Sequence, residues 1–291
     1  MGMEIVTGYA GVSHITSKHD AVINASTLPT SGKYVIKNLM DGLSAELISG
    51  NTIRIGSGFA FNQGRLMGID NYDAEDVTIA GGTSGTKRAD LIVIRYQKDS
   101  STGIETASLV VIQGTEGATY VDPDYYNNDL LNEDSSVDDM PLYRVKLDGL
   151  TIDSIEPIFS RWYLDTGWRE DLVTTTLEEF VSGSDSQPAI RAIGNQVFFR
   201  SGYKLATASE SGNYVIPEEY APENNMHWTT CEYKTIYESQ GGSAINKQLR
   251  FVNHSMVNNV ISVEANYYGG TGTGYVEPWT IDSTNIYWFL D

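Results

Sequence analysis

The chain has 291 residues, 41% of them hydrophobic, which suffices for a core in one large β domain or two of moderate size. Its formal net charge is −19: Lys and Arg number 11 against 22 Asp and Glu up to Ser160, and 8 against 16 beyond it, so both halves are acidic. No basic stripe is available to clasp phosphates, which argues against nucleic acid and against an anionic membrane surface as partners.

At the N-terminus, Met1–Glu4 lacks the basic residues of a secretory signal, so none is expected. No run reaches the roughly 20 apolar residues that cross a bilayer, so membrane insertion is not expected. His14 and His19 lie near Asp20, but two histidines without a third ligand at a defined spacing read as polar loop residues.

Strand signals follow in quick succession at Tyr34–Ile36, Glu46–Ser49, Asn51–Ile55, Gly58–Asn62, Arg65–Ile69 and Asp76–Ile79, separated by a few residues rich in Gly, Asn, Ser or Asp. Ser49-Gly50-Asn51 reads as a tight turn between two alternating runs. Lys87–Gly114 is the clearest pair of strands. Leu91–Tyr96 and Leu109–Ile112 are hydrophobic runs, and Lys98–Gly103 between them has the Asp, Ser and Gly chemistry of a surface loop. With so little polar alternation, the first of these runs is expected to be covered on both faces.

Asp122–Leu131 carries a helix-start signal, with Asp122 as cap and Pro123 in the first turn, and predicts a short helix. The acidic run Asn132–Asp139 lacks the spacing and central glycine of a calcium loop and reads as a solvated loop. Near residues 160–175 the sequence changes character. All five tryptophans lie beyond Ser160, so the division expected is a first β domain over 1–160 and a second over 161–291. Leu172–Phe180 is a second short helix candidate, weakened by Thr174–Thr176. The β pattern resumes at Ala189–Gly202, Thr229–Tyr237, Gln248–Val252, Val260–Tyr267 and Ile286–Leu290. The fold class expected is mainly β: two sandwich-like or barrel-like domains with few short helices.

Signatures of chemistry are missing. There is no phosphate-binding G-x-x-x-x-G-K-[ST] loop, no H-E-x-x-H and no G-x-S-x-G. Gly269–Gly274 is glycine-rich, but no helix opens after it, and it reads as a loop between strands. Cys231 is the lone cysteine, which rules out an intramolecular disulfide and reads as a small buried strand residue. Acid/base cleavage of glycosides needs two carboxylates at a defined separation, and no pair stands out among the 38 acidic residues. The chain is therefore expected not to be an enzyme, with no catalytic residue, metal site or cofactor.

Aromatic residues of the second half offer a different chemistry. Tyr233, Tyr237, Tyr267, Tyr268, Tyr275 and Trp279 sit in or beside loops and strand ends, where rings can stack on sugars while Asn, Asp and Glu bind hydroxyls. Their competing role is to fill the core or a subunit interface. Tyr267, Tyr268, Tyr275 and Trp279 form the candidate glycan-binding set. Adjacent strand residues point to opposite faces, so one of Tyr267 and Tyr268 is expected outward.

Glu4–Ser17, Ala45–Ile55, Gln63–Arg65, Gly85–Tyr96 with its partner run Leu109–Gly114, and Asp139–Leu147 occur in an order that resembles the attachment domain of tail or baseplate structural proteins from phages and prophages of Firmicutes. The resemblance covers about residues 3–160, and Gly85–Tyr96, with its Lys-Arg-Ala-Asp lead-in, carries most of it. The second half is similar in style to the β-sandwich heads of phage receptor-binding proteins, chiefly through Ile190–Gly202 and Trp279–Leu290.

That resemblance implies a virion protein of the phage tail, made in the bacterial cytoplasm and released by lysis. It implies a homotrimer that docks on other tail or baseplate proteins through its first half and meets host-surface saccharides through its second. No repetitive shaft separates the halves, so a compact baseplate component is expected rather than a long fibre. Two alternatives remain open at this point: a purely structural assembly component, and a glycan-cleaving tail enzyme.

Overall fold

Runs of Val, Ile, Tyr and Phe punctuated by Gly, Asn and Asp favour a pleated backbone, and the protein is mainly β, with one short α-helix among the described residues. The computed structural model describes residues 15–28, 32–133, 135–175, 188–205, 211–222, 224–237, 245–268 and 279–290. Of these, residues 201–205, 211, 228–237, 245–254, 263–268, 279–286 and 289 are described through their backbone alone. The chain divides into two units, Met1–Trp162 and Tyr163–Asp291.

The first unit opens with α1 (Ser17–Ala25), followed by β1 (Lys33–Lys37), β2 (Ala45–Leu47), β3 (Thr52–Asn62), β4 (Arg65–Thr78), β5 (Lys87–Lys98), β6 (Glu105–Ile112), β7 (Val137–Asp148), β8 (Thr151–Pro157) and β9 (Ser160–Tyr163). One sheet has the order β2-β3-β1-β9, with β4 paired along β3; the other has the order β6-β5-β7-β8. Alternate residues of the first sheet (Val35, Ile53, Ile55, Ala60, Met67 and Val77) share one core with Ile92, Ile94, Tyr96, Met140, Leu142, Val145 and Leu147 of the second. Burying the Val, Ile, Leu and Met side chains among these contributes about 1.5–3 kcal/mol each and makes this pair of sheets a sandwich.

Several expectations are refined here. Asn51–Ile55 and Gly58–Asn62 are one strand, β3, interrupted by a bulge between Gly56 and Gly58, and Arg65–Ile69 and Asp76–Thr78 are likewise one strand, β4. The Lys87–Gly114 pair is an antiparallel hairpin with Leu91 opposite Ile112, and β5 is buried on both faces from Arg88 to Ile94, as its unbroken apolar run predicted. Its connecting loop is organised by Asp99, whose Oδ1 accepts from the Ser101 and Thr102 amides at 2.8 Å.

The short helix predicted over Asp122–Leu131 does not form; the segment has no regular structure. The solvated loop predicted over Asn132–Asp139 is corrected as well, since Asp138 and Asp139 are fully buried at the start of β7. The two departures have one cause. Asp138 accepts from Lys33 Nζ at 2.8 Å, Asn62 Nδ2 at 2.9 Å and the Asn128 amide at 2.7 Å. Asp139 receives both Arg95 Nε (2.7 Å) and Nη2 (2.8 Å), and its Oδ2 takes the Tyr126 amide at 3.0 Å. Amides that a helix would have pointed along its own axis are bound instead by buried carboxylates.

α1 is a helix where loop histidines were expected. Thr16 Oγ1 accepts from the His19 amide and His19 Nδ1 accepts from the Thr16 amide, both at 3.3 Å, closing a capping box with histidine in the position usually held by Glu or Gln. His14 lies outside the described residues.

The second unit contains β10 (Thr174–Thr175), β11 (Ala189–Ile193), β12 (Gln196–Leu205), β13 (Ser211–Val215), a 3-10 turn (Glu218–Tyr220), β14 (Met226–Tyr237), β15 (Ile245–Val257), β16 (Val260–Tyr268) and β17 (Trp279–Phe289). The helix predicted over Leu172–Phe180 does not form in its described part: Leu172 and Val173 lie in a turn and irregular chain, and Thr174 and Thr175 pair with Val215 and Tyr214; the part from residue 176 on lies outside the described residues. β-branched threonines favour this pairing over a helix. Sheets β10-β13-β16-β15-β14 and β11-β12-β17 enclose Ile190, Val197, Phe199, Tyr214, Met256, Ile261 and Trp288. Trp288 Nε1 donates to the Tyr220 carbonyl at 2.8 Å, which satisfies the indole while its ring fills the core. Cys231 lies on β14, opposite Phe251 of β15.

Candidate functional site

Tyr267 and Tyr268 end β16, opposite Arg250 and Leu249 of β15. Trp279 opens β17 opposite Leu205 of β12, so it belongs to the other sheet of the second unit. Tyr275 lies outside the described residues. The candidate glycan set is therefore distributed over two sheets by its backbone.

A different aromatic pair stands in the described part of the three-stranded sheet. Along β12 the alternation places Val197 and Phe199 in the core, so Phe198 between them faces the opposite way. Register sets Arg191 of β11 on one side of Phe198 and Tyr287 of β17 on the other. The Phe198 and Tyr287 rings lie 6.0 Å apart, tilted by 39°, and Tyr287 is 61% exposed. Trp288, the next residue, points into the core, which fixes the outward aim of Tyr287.

Charged groups border this row. Arg191 Nε donates to Asp165 Oδ1 at 2.8 Å, and Nη2 reaches the other carboxylate oxygen. That pairing, with a further bond from the Gly167 amide, holds the Asp165 carboxyl down to about 2. Arg200, two residues beyond Phe198, sets its guanidinium 4.7 Å from the Trp168 ring centre and reaches Glu170 at 3.3 Å. An aromatic platform edged by guanidinium and carboxylate groups can hold a ring with an apolar face and hydroxyl edges. Among the described residues, no group of three or more His, Cys, Asp or Glu side chains is placed to hold a metal ion. No described helix is long and apolar enough to cross a membrane.

Sequence reasoning missed Phe198 and Tyr287. Two adjacent phenylalanines on a strand must face opposite ways, so Phe198-Phe199 carried half of the signal. The other half, Tyr287 alongside, depends on the β12–β17 register and has no local signature.

The Lys-Arg-Ala-Asp lead-in has a structural role in the first unit. Arg88 and Asp90 form a buried pair, and Arg88 Nη1 also donates to the Gly81 carbonyl at 3.1 Å and Nη2 to that of Ala80. Asp90 Oδ1 takes the Gly114 amide at 2.9 Å. Gly114 passes so close to β5 that a Cβ there would sit 2.0 Å from the Ala89 carbonyl oxygen.

No family model, curated protein or solved structure matches this chain.

Proposed function

We propose that the chain is a structural protein of a phage or prophage tail or baseplate that takes part in adhesion to host-surface saccharides. The observation that carries this reading is the outward row Arg191–Phe198–Tyr287 of the second unit. An exposed aromatic face beside hydrogen-bonding charges offers a sugar ring both of the contacts it can make. The segments that resemble tail attachment domains support the other half of the proposal. Gly85–Tyr96 and Asp139–Leu147 run through β5 and β7, which pair antiparallel and carry the ion pairs Arg88–Asp90 and Arg95–Asp139. Adhesion would then rest on many weak contacts. Three copies on one tail would raise avidity by roughly 10²–10⁴ without new contact types.

The test combines mass and binding. The full-length protein is expected to sediment as a trimer and to be retained by host cells and by their purified wall polysaccharide. Replacing Tyr287 by Ala should weaken retention by about tenfold, equivalent to ~1.4 kcal/mol for one aromatic contact, and leave the thermal midpoint nearly unchanged. A monomer that no host surface retains would overturn the proposal. A trimer that assembles on tails without being retained by cells would reduce it to assembly alone.

A further inference from the structure

A cleft of about 420 Å³ opens in the first unit between α1, the start of β4 and the edge strand β6. Its geometry is built in by the β3–β4 turn. Gln63 and Gly64 both take positive φ, 50° and 81°, as a two-residue hairpin requires. Asn24 Nδ2 of α1 donates to the Gly64 carbonyl at 2.9 Å. Helix and turn approach so closely that a Cβ on Gly64 would sit 1.9 Å from the Ala21 carbonyl oxygen. The cleft is thus closed on one side by a helix fixed to the hairpin.

Arg65, the residue after that turn, lines the cleft and is only 8% exposed. Its Nε and Nη1 are shut from solvent and have no hydrogen-bond partner. Nη2 lies 3.8 Å from Glu105 Oε1, beyond hydrogen-bond range, and that oxygen already accepts from the Tyr96 hydroxyl at 2.8 Å. The guanidinium rests 4.9 Å above the Tyr96 ring. The arginines at positions 88, 95, 144, 169 and 191 each donate through Nε to a carboxylate of this chain, so Arg65 is unlike them. Because Nε and Nη1 are closed even to water, an acceptor brought by a ligand would meet the guanidinium at Nη2, whose 3.8 Å approach to Glu105 leaves it short of a hydrogen bond.

The lining decides what kind of acceptor. Arg65 contributes one positive charge, and Asp20 and Glu105 contribute two negative ones. A phosphate or carboxylate would gain Arg65 but face two anions, and an amine would meet the reverse conflict. A hydroxyl group accepts from the guanidinium and donates to a carboxylate, so it suits both at once. Leu66 and Ala107 add apolar surface for a C–H face, and the volume falls within the range of small-molecule sites. We infer that this cleft binds a neutral polyhydroxyl ligand of mono- or disaccharide size, held between Arg65 and the carboxylates of Asp20 and Glu105.

This site belongs to the first unit and is independent of the adhesive row on β12 and β17, so either can fail alone. The test is calorimetric titration of the full-length protein with a panel of neutral mono- and disaccharides, glycerol, inorganic phosphate, acetate and ethylamine. At least one neutral sugar is expected to bind, and Arg65→Lys should weaken it tenfold or more. Because Arg65 is buried, a second variant is needed: Ala107→Phe fills the cleft from an exposed position and should abolish the same binding with the thermal midpoint retained. The variant Tyr287→Ala should leave it unchanged. Binding of phosphate, acetate or amine without any sugar would overturn the inference. So would the absence of all sugar binding, sugar binding that survives Ala107→Phe, or sugar binding lost only in Tyr287→Ala.

Discussion

Arg88 and Asp90 stand two positions apart on β5, both closed off from solvent, joined by Nε to Oδ1 at 2.8 Å and Nη2 to Oδ2 at 2.9 Å. A charge pair in such a place is balanced only while both partners remain. Asp90→Ala is expected to destabilise the first unit by about 3–5 kcal/mol, because it leaves the buried guanidinium with only Glu116 Oε1, 3.4 Å from Nη1, as a charged partner. The double variant Arg88→Met/Asp90→Leu should lose less than Asp90→Ala alone. Urea denaturation of the three proteins measures both differences, and a double variant less stable than the single one would contradict the assignment.

Asp138 and Asp139 act on the chain that crosses ahead of β7. Their carboxylates bind the Asn128 and Tyr126 amides, so removing them should release this segment before it unfolds the sandwich. Asp138→Asn is expected to raise amide hydrogen exchange in residues 124–133 by at least an order of magnitude relative to β5. Uniform exchange across the unit would show instead that the carboxylate supports the whole core.

Stability should fall at both ends of the pH scale for different reasons. Asp99 is held down to about 2 by the Ser101 hydroxyl and neighbouring amides, and Asp165 to about 2 by Arg191. Asp122 and Glu156 are lowered by Arg144 and Lys146 respectively. Since these values lie below the unfolded ones, their contribution is complete above about pH 5 and is lost as pH falls toward 2. Tyr96 and Tyr143 are pushed up from 10.0 to about 12, chiefly by burial. Their contribution is complete below about pH 10 and is lost as pH rises toward 12. Thermal midpoints across pH, with tyrosinate absorbance on the alkaline side, check both limbs.

Gly64→Ala tests the attachment of α1. The φ of +81° disfavours any side chain, and the new methyl would overlap the Ala21 carbonyl. The expected outcome is a loss of about 1–3 kcal/mol with exchange protection lost first in Ser17–Ala25. Unchanged protection in α1 would show that the helix is held by other contacts.

The legible parts of this fold were those with a local cause. β5 and β6 declared themselves through unbroken apolar runs, and Asp99–Gly103 through its turn chemistry. Asp122-Pro123 carried a sound helix-start signal that lost to Asp138 and Asp139, whose reach depends on tertiary pairing. α1 escaped notice because its cap uses His19 and its buried contact is a single alanine, Ala21. The cleft around Arg65 was harder still. Asp20, Arg65 and Glu105 come from three separate elements, and nothing in their spacing announces that they meet.

The most direct test of the tail-protein account is to locate the chain on particles. Antibodies against the purified protein should label the distal end of tails in lysates of the source strain, as seen by electron microscopy. Label confined to the particle-free fraction, with tails unmarked, would contradict the account.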